Sequence, residues 1–247
     1  MIKVCFLDWD DSILCTHNIN KLLGPDKNGN VDSIKSDIQR LEELSIKLID
    51  NIVYNGYHLF IVTNAEIGWV ELSGDKFMPK LMEYIEYNDI SIISANFKYG
   101  TMYPDCPEKW KLYTFSDIIK VSIPITYCPL DLSSLTLEET SNSGHVMLEN
   151  FVTDNLEEPV EEYDNYKIEA ISIGDSIFEY NALKALKTDT SILFPVTTKT
   201  IKLVDHPAVC IMIKQLEYIV DSFSRISSID LSIDIILSES RSFEVTE

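Results

Sequence analysis

The chain has 247 residues, 45% of them apolar and 24% charged, which suits one α/β domain with a sizeable core. Its formal net charge of −20 opposes nucleic-acid binding, and no run of 18 apolar residues offers a transmembrane helix. The five cysteines follow no zinc or redox spacing and the N-terminus has no secretory pattern, so reduced thiols and a cytoplasmic location are expected.

Ile2–Leu7 reads as a buried strand that stops at Asp8-Trp9-Asp10-Asp11. A polar segment follows, with turn signals at Gly24-Pro25 and Asn28-Gly29-Asn30. Asp32 or Ser33 can cap a helix whose stripe is Ile34, Ile38, Leu41, Leu44, Leu48 and Ile52, ending at Gly56. His58–Val62 is a second strand, stopping at Thr63-Asn64, and Trp69–Tyr87 is helical with Pro79 as a break or first-turn residue. Ile90–Ala95 is a third strand, and a loop through Tyr103-Pro104 leads to a helix at Glu108–Ile119.

Residues 121–166 then form an acidic insertion. No Lys or Arg stands between Lys120 and Lys167, while Asp and Glu recur throughout. Beyond it, Ile168–Ile173 is a fourth strand ending at Gly174-Asp175-Ser176, followed by a helix at Phe178–Leu186. Thr200–Val204 is the fifth strand, Ala208–Ser222 a helix and Ile229–Ile236 a last strand, with a frayed tail at about 238–247. This alternation predicts a mainly parallel sheet with helices on both faces, in which ligands bind beyond the carboxyl ends of the strands.

The polar residues at those ends carry the chemistry. Asp8 and Asp10 are two residues apart, so one can attack phosphorus while the other donates and later accepts a proton. Asp175 can join them around a magnesium ion, which takes oxygen ligands and relieves repulsion between carboxylate and phosphate. Thr63 and Asn64 can hold phosphate oxygens, and Lys111, at the start of the helix after the third strand, can neutralise the transferring group, with Lys109 an alternative two residues away. Singly, each pattern is an ordinary turn or strand end, and the weight lies in their joint order. His17, His58, His145 and His206 have no ligand spacing and receive no metal role, and Trp69 and Trp110 read as packing residues.

Phe6-Leu7-Asp8-Trp9-Asp10-Asp11-Ser12-Ile13-Leu14 resembles the first motif of the haloacid-dehalogenase-like (HAD-like) hydrolases. Ile61-Val62-Thr63-Asn64 is similar to the second, Lys111 to the third, and Ser172-Ile173-Gly174-Asp175-Ser176-Ile177-Phe178-Glu179 to the fourth. Thr63–Lys80, Trp110–Lys111 and Thr200–Pro207 also resemble a capless group of that superfamily from protists and plants.

The resemblance implies a HAD-like Rossmannoid three-layer α/β/α sandwich spanning 1–247 as a single domain. It implies Asp8 as nucleophile and metal ligand, Asp10 as general acid/base with its carbonyl a second ligand, and Asp175 completing a Mg2+ site. Thr63, Asn64 and Lys111 would bind phosphate, with Ser176 beside them and Glu179 orienting Lys111 or a metal-bound water. Asp11 stands where many members carry glycine, and an added carboxylate there is expected to raise neighbouring carboxyl pKa values. Trp9 is bulky for its place. About 18 residues separate Leu14 from Ser33 and fewer than 20 separate the third strand from Lys111, so neither gap holds a cap domain. The expected function is a magnesium-dependent phosphatase with an open site suited to a phosphoprotein or other large phosphorylated substrate. The alternative is a binding or regulatory protein of the same fold, whose 121–166 segment docks a basic protein partner.

Overall fold

The computed structural model describes residues 1–23, 34–122, 167–192, 194–238 and, for the backbone only, 244–246. The 123–166 part of the acidic segment and the proposed Asp32/Ser33 cap lie outside the described residues.

The strands are β1 (Ile2–Leu7), β2 (His58–Thr63), β3 (Ser91–Ser94), β4 (Ile168–Gly174), β5 (Val196–Lys202), β6 (Ile233–Ile236) and β7 (Glu244–Thr246). They form one sheet in the order β3-β2-β1-β4-β5-β6-β7, with the first six parallel and β7 antiparallel to β6. Among the described residues eight α-helices accompany them: α1 (Thr16–Leu23), α2 (Lys35–Tyr54), α3 (Trp69–Phe77), α4 (Pro79–Tyr87), α5 (Ala95–Tyr99), α6 (Pro107–Ser122), α7 (Ile177–Ala185) and α8 (Val209–Ser227). Among the described residues no helix is long and apolar enough to cross a membrane.

The sheet is covered on both faces, which is why its central strands read as continuous apolar runs rather than as alternating patterns. Cys5 and Leu7 of β1 join α2, α3, α4 and α8 in one core, while Val4 and Phe6 join α5, α6 and α7 in the other. Phe6 stacks on Phe115 of α6 at 3.9 Å between ring centroids. The α2 stripe buries Ile38, Leu41, Leu48, Ile49 and Ile52, each fully buried aliphatic contributing about 1.5–3 kcal/mol relative to exposure. The result is a Rossmann-like three-layer α/β/α fold, without a large cap among the described residues.

Several element limits differ from those read in the sequence. The segment after Asp11, expected to be turn-rich, begins with α1. Its single buried residue, Ile19, gives no apolar stripe, and its N-terminus is instead capped from outside, by the Asp11 carboxylate accepting from the His17 N–H at 2.9 Å. Pro79 divides the Trp69–Tyr87 helix into α3 and α4, standing at the start of α4. The Glu42 carboxylate of α2 then accepts from the N–H groups of Lys80 and Leu81. β5 starts at Val196, four residues earlier than expected, since it follows the whole of β4 from Ile168 to Gly174. Residues 229–232 precede β6 rather than belonging to it, and Glu244–Thr246, within the tail expected to fray, pairs with β6.

At the N-terminal end of the strands lies a buried ionic cluster that the sequence did not signal. Lys199 of β5 donates to Glu169 of β4 at 2.7 Å and to the Ser227 carbonyl at 2.8 Å, and the Tyr57 hydroxyl also donates to Glu169. Burial lowers the Lys199 pKa and raises that of Tyr57. Cys5, Cys15, Cys106 and Cys210 are free thiols, the first two buried.

Candidate active site

The strand order places β1 beside β4, with β2 on one side and β5 on the other, so the direction of winding reverses between β1 and β4. Open α/β sheets form a crevice at that point, outside the strand carboxyl ends. A pocket of about 470 Å³ lies there, lined by Asp8, Asp10, Asp11, Thr63, Asn64, Lys111, Asp175, Ser176, Glu179 and His206, among others.

Asp8 follows β1 and Asp175 follows β4, their side chains drawn together by the pairing of the two strands. The Asp8 N–H donates to the Ile173 carbonyl at 2.9 Å. Ser12 joins them further, its hydroxyl donating to Asp8 Oδ2 at 2.9 Å and accepting from the Asp175 N–H at 3.0 Å. Lys111 of α6, 2% exposed, donates to Asp8 Oδ1 at 2.5 Å and to Glu179 of α7. Burial opposes its charge, but Asp8 and Glu179 outweigh that and hold the ammonium above the usual lysine range. Lys109 instead lies over the Tyr103 ring, 4.9 Å from its centroid. Of the two lysines weighed, Lys111 is the one that meets these carboxylates.

Asp10 points to a different wall. Its Oδ1 accepts from Thr16 at 2.6 Å and from the Trp69 indole N–H at 2.9 Å, while the Thr63 hydroxyl stands 3.4 Å from Oδ2. Burial raises its pKa, hydrogen bonds from Thr16 and Trp69 oppose the rise, and the charges of Asp8 and Asp11 add to it. Asp175 is pushed up to about 7, first by burial and then by Asp8. Burial also raises Glu179 in spite of Lys111, and its Oε2 is buried without a partner. Ser176 caps α7 by accepting from the Phe178 N–H. Asn64 donates to the Pro107 carbonyl at 3.3 Å, with its own carbonyl oxygen buried and unpartnered.

Trp9 does not crowd this pocket. It is fully buried in the core with its indole N–H on Ser73. Asp11, at φ 54°, adopts the left-handed conformation that glycine takes without cost. Its carboxylate turns to His206, whose Nδ1 is 2.9 Å from Oδ2 and whose pKa it raises. His206 N–H also reaches Asp175 Oδ2 at 3.3 Å.

Four contacts of the site were not read from the sequence. In the sequence Ser12 stands only as part of a motif, Thr16 lies in a polar segment without a predicted element, Trp69 reads as packing and His206 has no ligand spacing. Trp69 carried one signal, an indole N–H six residues beyond the Thr63 strand end, and buried indoles usually find an acceptor. No protein-family model, no curated protein and no solved structure matches the chain.

Proposed function

We propose that the chain is a magnesium-dependent phosphatase that works through an aspartyl-phosphate on Asp8. The observation that carries this reading is the convergence of Asp8, Asp10, Asp175 and Lys111 on one pocket at the reversal point of a parallel sheet. A second buried Lys–carboxylate pair, Lys199–Glu169, sits at the opposite ends of the strands and carries no such set.

The donor set fits a hard divalent cation. The candidate ligands are all oxygens, six carboxylates line the pocket around one buried ammonium, and one oxygen of Glu179 has no partner. Asp8, Asp175 and the Asp10 carbonyl would hold magnesium, which supplies positive charge where a phosphate dianion meets the Asp8 carboxylate. In the first step an Asp8 oxygen bonds to phosphorus as the bond to the leaving oxygen breaks, and Asp10 gives that oxygen its proton. The raised Asp10 pKa favours the protonated acid this step needs. In the second step water attacks phosphorus, Asp10 takes its proton, and the bond from phosphorus to Asp8 breaks to release phosphate. Lys111 offsets charge on the transferring group and stays positioned by Glu179, while Thr63 offers its hydroxyl. No separate cap domain stands among the described residues, which supports a phosphoprotein or other large substrate over a small enclosed metabolite.

The test is phosphate release from an aryl phosphate, with and without magnesium, by wild type and Asp8→Asn. Metal-dependent turnover that disappears in Asp8→Asn is expected. Turnover that survives in Asp8→Asn sinks the reading of Asp8 as nucleophile, and none in the wild type with magnesium shown to bind sinks the phosphatase and favours a binding protein of the same fold.

A further inference from the structure

Asp11, His17 and His206 come from the loop after β1, the first turn of α1 and the loop before α8, yet one donor atom from each lies within 4.8 Å of the others. The His17 and His206 rings stack with centroids 4.9 Å apart and planes 24° apart. Asp11 is buried beneath two exposed imidazoles, its Oδ2 2.9 Å from His206 Nδ1 and its Oδ1 accepting from the His17 N–H.

The backbone is unusual at the same point. Asp11 and His206 have φ of 54° and 45°, and Asp89 is the one other non-glycine residue with positive φ among the described residues. Side-chain-bearing residues seldom hold that conformation, and where they do it often serves a site. Here it occurs on both sides of a single contact.

We propose that Asp11, His17 and His206 bind a transition-metal ion of the zinc type, at a site distinct from the all-oxygen site of Asp8 and Asp175. Two imidazoles and a carboxylate are the donors that zinc and its neighbours take, whereas magnesium prefers oxygen alone. Three protein ligands leave a fourth position for water or a ligand oxygen. The surroundings favour a cation, since Asp175 and Asp205 line the same pocket and Lys202 is already held by the Asp175 and Leu203 carbonyls and Asp205. The ion would stand against the pocket wall, because the His206 N–H also reaches Asp175. This inference holds whether or not the pocket hydrolyses phosphate.

Zinc binding by equilibrium dialysis, with magnesium in excess, tests it on the full chain. The wild type should bind one tight equivalent, and Asp8→Asn/Asp175→Asn should keep it. His17→Ala/His206→Ala should weaken binding about a hundredfold or more, since even an outer-shell partner is worth about 10–100-fold. Both rings are exposed, so their removal spares the core. Zinc should also shift the ring nitrogen resonances of His17 and His206 in the wild type, a readout that needs no variant. No tight zinc in the wild type, undiminished binding without the two histidines, loss of zinc with the Asp8/Asp175 pair, or unmoved ring resonances would each overturn the proposal.

Discussion

Asp10 is defined as much by its neighbours as by its own carboxyl. Burial pushes its pKa up, while hydrogen bonds from Thr16 and Trp69 to the same oxygen draw it back. A proton donor needs both influences, one to keep the proton and one to aim the group. Trp69→Phe keeps an aromatic ring against the wall but removes the indole N–H. A hydrogen bond to a charged group is worth about 1.5–3 kcal/mol, so kcat on an aryl phosphate should fall about tenfold or more. The pH profile separates this from simple misfolding. Trp69 favours the ionised carboxylate, so its loss lets the Asp10 pKa climb. The first step needs the protonated form, so the alkaline limb of kcat/KM should move to higher pH. A limb that stays in place, or moves to lower pH, would show that Asp10 is not the titrating acid.

The elements deliver these side chains through close fits, one of which is the turn from β4 to α7. A Cβ placed on Gly174 would stand 2.7 Å from Glu179 Cγ and 3.0 Å from its Cδ. Glu179 cannot swing away, because it is buried and paired with Lys111, which in turn holds Asp8. Gly174→Ala should therefore cost about 1–3 kcal/mol in a urea titration, as overpacking does, and lower turnover by up to about a hundredfold as Lys111 is displaced. Shortening the neighbour in Gly174→Ala/Glu179→Asp should recover part of the stability. Equal stability of Gly174→Ala and wild type would show that the turn relaxes freely. The same contact explains what the sequence could tell. Apolar runs that end in Asp8, Thr63 and Asp175 were legible because a strand buried on both faces must be apolar until it leaves the sheet. Lys111 was legible only as one of two lysines, since choosing between them needs the face of α6 that meets Asp8. Contacts that arise from placement left no local pattern. His17 and His206 are remote in the chain, so ligand spacing could not connect them. α1 escaped notice because its cap, Asp11, lies six residues from the N–H it satisfies. The Glu169–Lys199 pair is set by register between β4 and β5, which the apolar pattern around it does not specify.

At the scale of the whole molecule, folding concentrates negative charge that the unfolded chain keeps dispersed. The chain carries −20 overall, and the sheet gathers Asp8, Asp10, Asp11, Asp175 and Glu179 around one pocket. Asp175 records the cost, standing at about 7 where an ordinary aspartate has 3.8, because of burial and then Asp8. In the metal-free protein the folded state thus retains a proton that the unfolded chain releases between about pH 4 and 7. The stability associated with that proton is fully present below about pH 4 and is lost as pH rises through 7, on the order of 4 kcal/mol in all. Asp175→Asn removes this titration. With EDTA present, the variant should show a flatter profile than wild type between pH 5 and 8 and be the more stable protein at pH 8. Other carboxylates titrate in both proteins, so the difference between them is the quantity to follow. Magnesium should narrow the gap, since an ion bound to the folded state alone at a hundredfold over its Kd stabilises by about 2.7 kcal/mol, and the variant lacks a ligand. Urea midpoints at the two pH values, with EDTA and with magnesium, measure every part of this. Parallel pH profiles would mean that neither burial nor Asp8 holds a proton on Asp175, and equal magnesium shifts would place the ion elsewhere. A gap that magnesium narrows would show that a site destabilising to the empty fold is stabilised by the cation it gathers.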